Sequence, residues 1–400
     1  MKKTIILILS IFMLYGCYDY VEINNLVIIS GMLIDYKDNN YYITSQIIEN
    51  ENETKINVYT TRGKSIEECL SELSKLSNKD LFISHLKVII LTESTIKNNN
   101  DYQDYFLRDS KSKMNFYVYY VDDKYKDEVL NIYKENNGSA LYIKDLMEFN
   151  NRIFSSSTPL SFLDLIYKQK EYGIDEIYPN LIIKENNEKK VLYLQNIVGF
   201  NQNKEKIILD DKEGIFYNMI TNNVEKTSLN IPCEENDFTI SLNNLKTIYK
   251  WTDNTFYIKI ITNGKLSSYE CKYNLDSVNT TKKISNLVNN YIKTNINDIV
   301  NISVNNKIDF IGIGNYIYKH DKNYFNFKRK NWNNELNKLN IKVSVDTTIT
   351  SIGEMRKWIK KKLIVLDFHA WFAHFAAPHF MEYLVHILYI HLKIQLLFLY

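Results

Sequence analysis

Leu26-Val27-Ile28-Ile29-Ser30-Gly31-Met32-Leu33-Ile34 is a short continuous apolar run bounded by polar residues, the pattern of a strand buried on both faces. A turn over Asp35–Asn40 and an alternating strand over Tyr41–Glu49 follow it. Ser65-Ile66-Glu67-Glu68 then reads as a capping box. The Ser hydroxyl and the Glu carboxylate would each satisfy a free amide at a helix start. That helix carries Ile66, Cys69, Leu70, Leu73 and Leu76 on one face. Beyond it the sequence predicts a strand over Leu86–Leu91, a helix over Tyr102–Leu107 and a strand over Phe116–Val121. Strands alternating with helices point to a mixed α/β (α+β) fold of several domains, in which helices pack on mixed sheets.

The same reading extends down the chain. Leu141–Phe154 is a helix. Thr158-Pro159 opens another, with Thr as N-cap and Pro at the first helical position, ending near Gly173. Pro179–Ile183, Val191–Phe200 and Ile240–Ile261 have strand character. Ile284, Leu287, Val288, Tyr291, Ile292, Ile296 and Ile299 recur at helical spacing in one long amphipathic helix. Ile308–Tyr318 and Ile341–Ile349 read as closing strands. The expected units are residues 17–190, a small middle subdomain at 191–240, and a third at 241–353.

The amino terminus has its own signature. Met1-Lys2-Lys3 precedes an apolar stretch from Thr4 to Tyr15, which is shorter than the roughly 20 residues a spanning helix needs. It ends in Leu14-Tyr15-Gly16-Cys17. Residues 1–16 thus read as a lipoprotein signal peptide and Cys17 as the lipidation site, its thiol taking a diacylglyceryl group. Two acyl chains give stable anchoring with the body of the protein in water.

Of the 400 residues, 45% are hydrophobic, enough for ordinary cores, and the net charge of +2 gives no global drive toward nucleic acid. Besides Cys17 there are Cys69, placed on the buried face of its helix, and Cys233 and Cys271. The spacing sets no disulfide framework, and a Cys233–Cys271 bridge stays open. Gly63-Lys64-Ser65 lacks the glycine a phosphate loop needs, because Val58 stands there. Gly312-Ile313-Gly314 lacks the third glycine of a dinucleotide turn and reads as a close backbone approach or bulge. His85 has no partner at catalytic spacing, Ser155–Thr158 is a linker between helices, and Glu67-Glu68 and Asp122-Asp123 are solvated acidic pairs. No catalytic set, metal set or cofactor is expected.

The end of the chain departs from the rest. Ala140 is the one alanine before residue 354, yet Ala370, Ala373, Ala376 and Ala377 fall close together, and five of the seven histidines lie at 369–391. The histidines, mostly five apart, point about 140° away from one another on a helix and share no face. Residues 354–400 therefore read first as a non-native tail, such as a shifted frame. A membrane-interfacial segment ranks second and a spanning helix third.

Several short motifs, in order, resemble one family. Gly16-Cys17-Tyr18-Asp19-Tyr20-Val21-Glu22-Ile23-Asn24-Asn25-Leu26 is similar to the opening of the C subunits of spore germination receptors, the Ger(x)C lipoproteins, with Tyr18 where that family has Trp. Ile29-Ser30-Gly31 with Ile34-Asp35, Phe82-Ile83-Ser84-His85-Leu86-Lys87, Tyr105-Phe106-Leu107-Arg108-Asp109, Val198-Gly199-Phe200 and Leu209–Gly214 continue the series. Asp309-Phe310-Ile311-Gly312-Ile313-Gly314 and Trp332 complete it. The resemblance covers about residues 14–353. It implies a non-enzymatic subunit on the outer face of the spore inner membrane, beside an A subunit and an integral-membrane B subunit, in a complex that detects nutrient germinants. A solute-binding lipoprotein of a transporter is the alternative. It would show two similar lobes, and the sequence has no such duplication. An envelope hydrolase would need a nucleophile or carboxylate pair in a cleft.

Overall fold

A computed structural model describes residues 26–48, 56–98, 101–134, 138–186, 189–201, 203–234, 236–271 and 278–351. The fold is mixed α/β, as expected, and has two domains, each built on its own sheet.

The first sheet contains β1 (Leu26–Lys37), β2 (Asn40–Ile48), β3 (Ile56–Gly63), β4 (Asp80–Phe82), β5 (Val88–Thr92), β6 (Tyr117–Val121), β7 (Ile177–Asn186), β8 (Lys189–Phe200) and β9 (Lys206–Leu209). Its order is β3-β2-β1-β5-β6-β7-β8-β9, with β4 beside the start of β1. The centre, β1-β5-β6-β7, is parallel, and both flanks are antiparallel. Parallel strands need cover on both faces, and the helices supply it. On one side lie α1 (Ile66–Ser77), α3 (Tyr102–Arg108) and α6 (Phe162–Lys170), after the short α2 (Glu93–Asn98). On the other lie α4 (Lys126–Tyr133) and α5 (Ala140–Ile153). Ile89 and Leu91 of β5 and Val118 and Tyr120 of β6 face the first side, while Val88, Ile90, Tyr119 and Val121 face the other. In β1 the parity changes. Val27 and Ile29 share a face with Met32 and Ile34 because a bulge between Ile29 and Gly31 adds one residue.

The second sheet is β10 (Lys226–Cys233), β11 (Asn236–Thr252), β12 (Thr255–Tyr269) and β13 (Asn340–Ser351), in that order, with β12 and β13 parallel. Exposed and buried residues alternate strictly along β10, so one face meets water. The inner face packs on α7 (Asp211–Ile220) and on α8 (Val278–Asn305), whose Ile284, Val288, Ile292, Ile296 and Ile299 are buried as the spacing predicts. After α8 come α9 (Ile313–His320), α10 (Lys322–Lys328) and α11 (Trp332–Glu335). Ile177, Ile197 and Ile207 of the first sheet join this second core, so the two domains share packing. Residues 191–240 divide between the sheets: β8 and β9 close the first, and β10 and the start of β11 open the second, with α7 between.

Four local expectations are corrected. Ile308–Tyr318 is a turn and a helix, not a strand, because the Asp309 side chain takes up the amides at the start of α9. The helix expected from Pro159 starts at Phe162. Backbone bonds from Val118 to Leu160 and from Phe162 to Phe116 hold that stretch extended, and Ser161, not Thr158, is the N-cap. Leu76 points to solvent. In the box at α1, Ser65 Oγ accepts from Glu68 N at 3.1 Å, but Glu68 Oε2 accepts from Lys64 N, one residue earlier than the pattern requires. Cys233 and Cys271, where β10 and β12 end, form a disulfide with their Cα atoms 6.0 Å apart. Cys69 is buried and free, as expected of its place on α1.

Candidate functional site

Several motif residues gather at joints between the domains. The principal one is built on Asp309, which is fully buried. Its carboxylate accepts from the backbone amides of Gly312 (2.9 Å), Ile313 (2.9 Å) and Gly314 (2.7 Å) and from the Trp332 indole Nε1 (2.8 Å). The reason is local: Gly312 adopts φ +81°, open chiefly to glycine, and turns successive amides toward one point. Gly314 comes against Gly173, where an added Cβ would lie 2.8 Å from the Gly173 Cα. This is the close approach the sequence pattern suggested. The segment before β7 is drawn in too. Asp175 N donates to Asp309 O at 2.9 Å, and Asp175 Oδ2 accepts from Asp309 N at 2.6 Å and Asn333 Nδ2 at 3.2 Å. Burial raises the Asp309 pKa against its four hydrogen bonds. Burial, then the neighbouring Asp309 charge, pushes Asp175 up to about 6.

A second joint holds the Ser155–Thr158 linker. Asn218 Nδ2 on α7 donates to the carbonyls of Ser155 and Ser157, each at 2.8 Å, and Thr227 Oγ1 donates to Phe154 O. Gly214, in the α7 turn opened by the Asp210–Glu213 capping box, has no room for a Cβ beside the Ser156 carbonyl. The Ser84 and Lys87 motif residues are likewise structural. Ser84 Oγ donates to Lys111 O, and Lys87 N donates to Ser30 O at the start of β5. His85 is exposed and lies beside the Phe82 ring.

A charged cluster lies at the carboxyl ends of the parallel strands, where open α/β sheets bind ligands. Lys206 Nζ of β9 reaches Glu93 and Asp122, each at 2.6 Å, and Tyr120 Oη at 3.1 Å, while Tyr120 donates to Glu93. Lys126 pairs with Asp35 of β1 at 2.6 Å, and Thr92 and Ser94 donate to the same carboxylate. Burial raises the Glu93 pKa, but Lys206, Lys97 and Tyr120 outweigh it and hold Glu93 at about 2. Asp35 is lowered in the same way by Lys126, Thr92 and Ser94 against its burial. The expectation that Asp122-Asp123 is only solvated fails for Asp122, which is one leg of this clamp. Lys206 lies 113 residues from Glu93, so no local pattern could have revealed the pair. The cluster ties β1, β5 and β6 to β9, and the protein's own lysines occupy the ligand position.

Two open grooves lie beside these features. One of about 950 Å³ runs between α1 and α3 past Lys64, Glu67, Asp104 and Arg108. One of about 510 Å³ lies at the Asp175 joint, between Lys168–Glu176 and Arg329–Asn333. Among the described residues no cluster of three His, Cys, Asp or Glu is placed to hold a metal, and no helix is long and apolar enough to cross a membrane. Cys17, the signal-peptide residues and the tail from 354 lie outside the described residues.

Structural joints of this kind define a two-domain protein whose sequence signature is architectural. Comparison with known proteins shows its family. Residues 19–183 match the model of the spore germination protein N-terminal domain. Residues 197–353 match that of the spore germination B3/GerAC-like C-terminal domain. The chain belongs to this family of spore germination proteins, the Ger(x)C family. It is 23% identical to spore germination protein KC of Bacillus subtilis (strain 168) over 398 residues, covering 89% of this chain and 97% of that protein. It is 30% identical to spore germination protein B3 of the same organism over 128 residues, 29% of this chain and 34% of the other. The fold is similar to the crystal structure of the GerBC protein at a TM-score of 0.50 and 14% identity, over 80% of this chain and 97% of that one.

Proposed function

We propose that the chain is the lipid-anchored C subunit of a nutrient germinant receptor, held through Cys17 at the outer face of the spore inner membrane. There it acts by binding an A subunit and an integral-membrane B subunit, with no catalysis and no cofactor. The observation that carries this reading is the run of family motifs through both matched domains, directly after the Leu14-Tyr15-Gly16-Cys17 sequence. Confinement to a membrane raises the effective concentration for partner binding, which gives the anchor a physical purpose in assembly. The tail from residue 354 is taken as foreign to this function. A solute-binding lipoprotein is not favoured, because the two sheets differ in strand number, order and helical cover instead of forming twin lobes.

The test uses spores carrying wild-type protein or Cys17→Ala, followed by membrane fractionation and by nutrient-triggered release of core solutes. The variant is expected to leave the membrane fraction and to lose the response to at least one nutrient. Unchanged fractionation would rule out Cys17 as the anchor. An unchanged response to every nutrient would refute the receptor role of the anchored protein.

A further inference from the structure

Phe327 is 90% exposed, the most open large apolar side chain among the described residues. It sits on α10 two residues after Phe325, which is buried beside Trp332 at 4.9 Å, and so points to the opposite side of that helix. The chain around it is strongly basic. Between residues 319 and 330 stand Lys319, Lys322, Lys328, Arg329 and Lys330 against one carboxylate, Asp321. Asp321 is turned inward, accepting from Trp251 Nε1 and from the α10 amide of Tyr324. Glu335 neutralises Lys328 at 2.7 Å and also pairs with Lys338. Among the described residues no ion pair takes the other four cations.

Three of these cations lie over aromatic rings, Lys322 within its own domain at 5.7 Å from the Tyr318 centroid. Arg329 is 3.4 Å from the Tyr172 ring centroid, and Lys319 is 5.2 Å from that of Tyr167 and donates to its hydroxyl. Both rings belong to the first domain, so the basic surface runs across the Asp309 joint. Such contacts fix the cations in place and leave their charge in solvent.

Strand register locates the surface. Val88, Tyr117 and Gly31 are level, and Tyr120 is level with Asn180, so β7 begins level with β5 and β6. Asp175, which is bonded to Asp309, therefore lies just off the amino ends of the parallel strands. β1 starts at the same end and extends five residues further, about 17 Å. Cys17 is nine residues upstream of Leu26, within a reach of about 30 Å. Leu26 is separated from β7 laterally by three strand spacings, about 14 Å.

We propose that the α9–α11 surface is a second membrane contact, in which Phe327 inserts into an anionic lipid interface and the cations Lys319, Lys322, Arg329 and Lys330 meet its headgroups. It rests on the lipid anchor proposed above, which places this end of the molecule at the bilayer. A lone projecting aromatic ringed by cations fits the boundary between headgroups and acyl chains. Each cation near such a surface increases partitioning about fivefold.

The test reconstitutes the full lipidated protein carrying Phe327→Trp in vesicles of phosphatidylcholine alone or with phosphatidylglycerol, including brominated lipid as a quencher. Wild-type emission is subtracted to isolate the introduced indole. Quenching and a blue shift are expected in the anionic vesicles only, and high salt should reverse both. Adding Lys322→Glu and Lys330→Glu is expected to reduce the inserted fraction by tenfold or more. An indole that stays in water in anionic vesicles overturns the proposal. So does one shielded only when the other receptor subunits are added, which would make this a protein interface. Failure of the anchor itself reads differently: the protein would not sediment with the vesicles at high salt.

Discussion

Asp309→Asn tests the central joint with the smallest change of shape. The carboxylate accepts four donors, two on each oxygen. The amide keeps one oxygen and puts an NH2 in place of the other. Whichever way it turns, one pair is left facing a donor: either the amides of Gly312 and Ile313, or the Gly314 amide with the Trp332 indole. A buried unsatisfied donor costs about 1–3 kcal/mol, so two cost about 2–6 kcal/mol. A neutral side chain also avoids burying a charge, a relief in the direction shown by the raised pKa of Asp309. The net loss is set at about 3 kcal/mol. Asp309→Ala orphans all four donors, leaves a void and is expected to cost more. Urea unfolding followed by near-ultraviolet circular dichroism and indole emission measures this, since Trp332 reports directly on the joint. With a slope of about 3 kcal/mol per molar, the Asp309→Asn midpoint should fall by about 1 M. A shift below about 0.3 M would refute the view that this carboxylate holds the start of α9.

Asp175 should behave in the opposite sense. Its pKa in the folded protein is raised to about 6 from an ordinary value near 4, so folding takes up a proton. Its stabilising contribution is complete below pH 4 and is lost as pH rises through 6, a change of about 3 kcal/mol. Asp175→Asn mimics the protonated form. Its urea midpoint is expected to equal or exceed wild type at pH 8 and to vary less between pH 4 and 6.5. A variant weaker than wild type at pH 8 would sink this account. The Cys233–Cys271 bridge closes a separation of 38 residues, which restrains the unfolded chain by about 4 kcal/mol. Reduction with dithiothreitol is expected to lower the melting temperature by about 10 °C, and an unchanged melt would contradict it.

What the sequence made legible follows from the range of the forces involved. The buried strands β1, β5 and β6 and the inward face of α8 are fixed by hydrophobic period, a property of a few neighbouring residues, and they stand where the pattern put them. The close approach at Gly312–Gly314 was legible for the same reason, because paired glycines mark backbone that must come near something. The partner at that contact, Gly173, was not, because it is set by how the two domains meet. The stretch from Ile308 shows how long-range chemistry overrides local preference. Ile308, Phe310, Ile311 and Ile313 are buried and apolar, so periodicity alone cannot separate strand from helix there. The decision falls to Asp309, whose carboxylate gathers three amides and an indole from a residue 23 positions away. The Lys206 clamp obeys the same logic over 113 residues. Asp122 read in isolation is a surface acid, and only the folded order β1-β5-β6-β7-β8-β9 brings it a lysine. The ordered series of motifs gave the family resemblance its specificity, while the physics of the Asp309–Trp332 contact becomes visible only when both domains are in place.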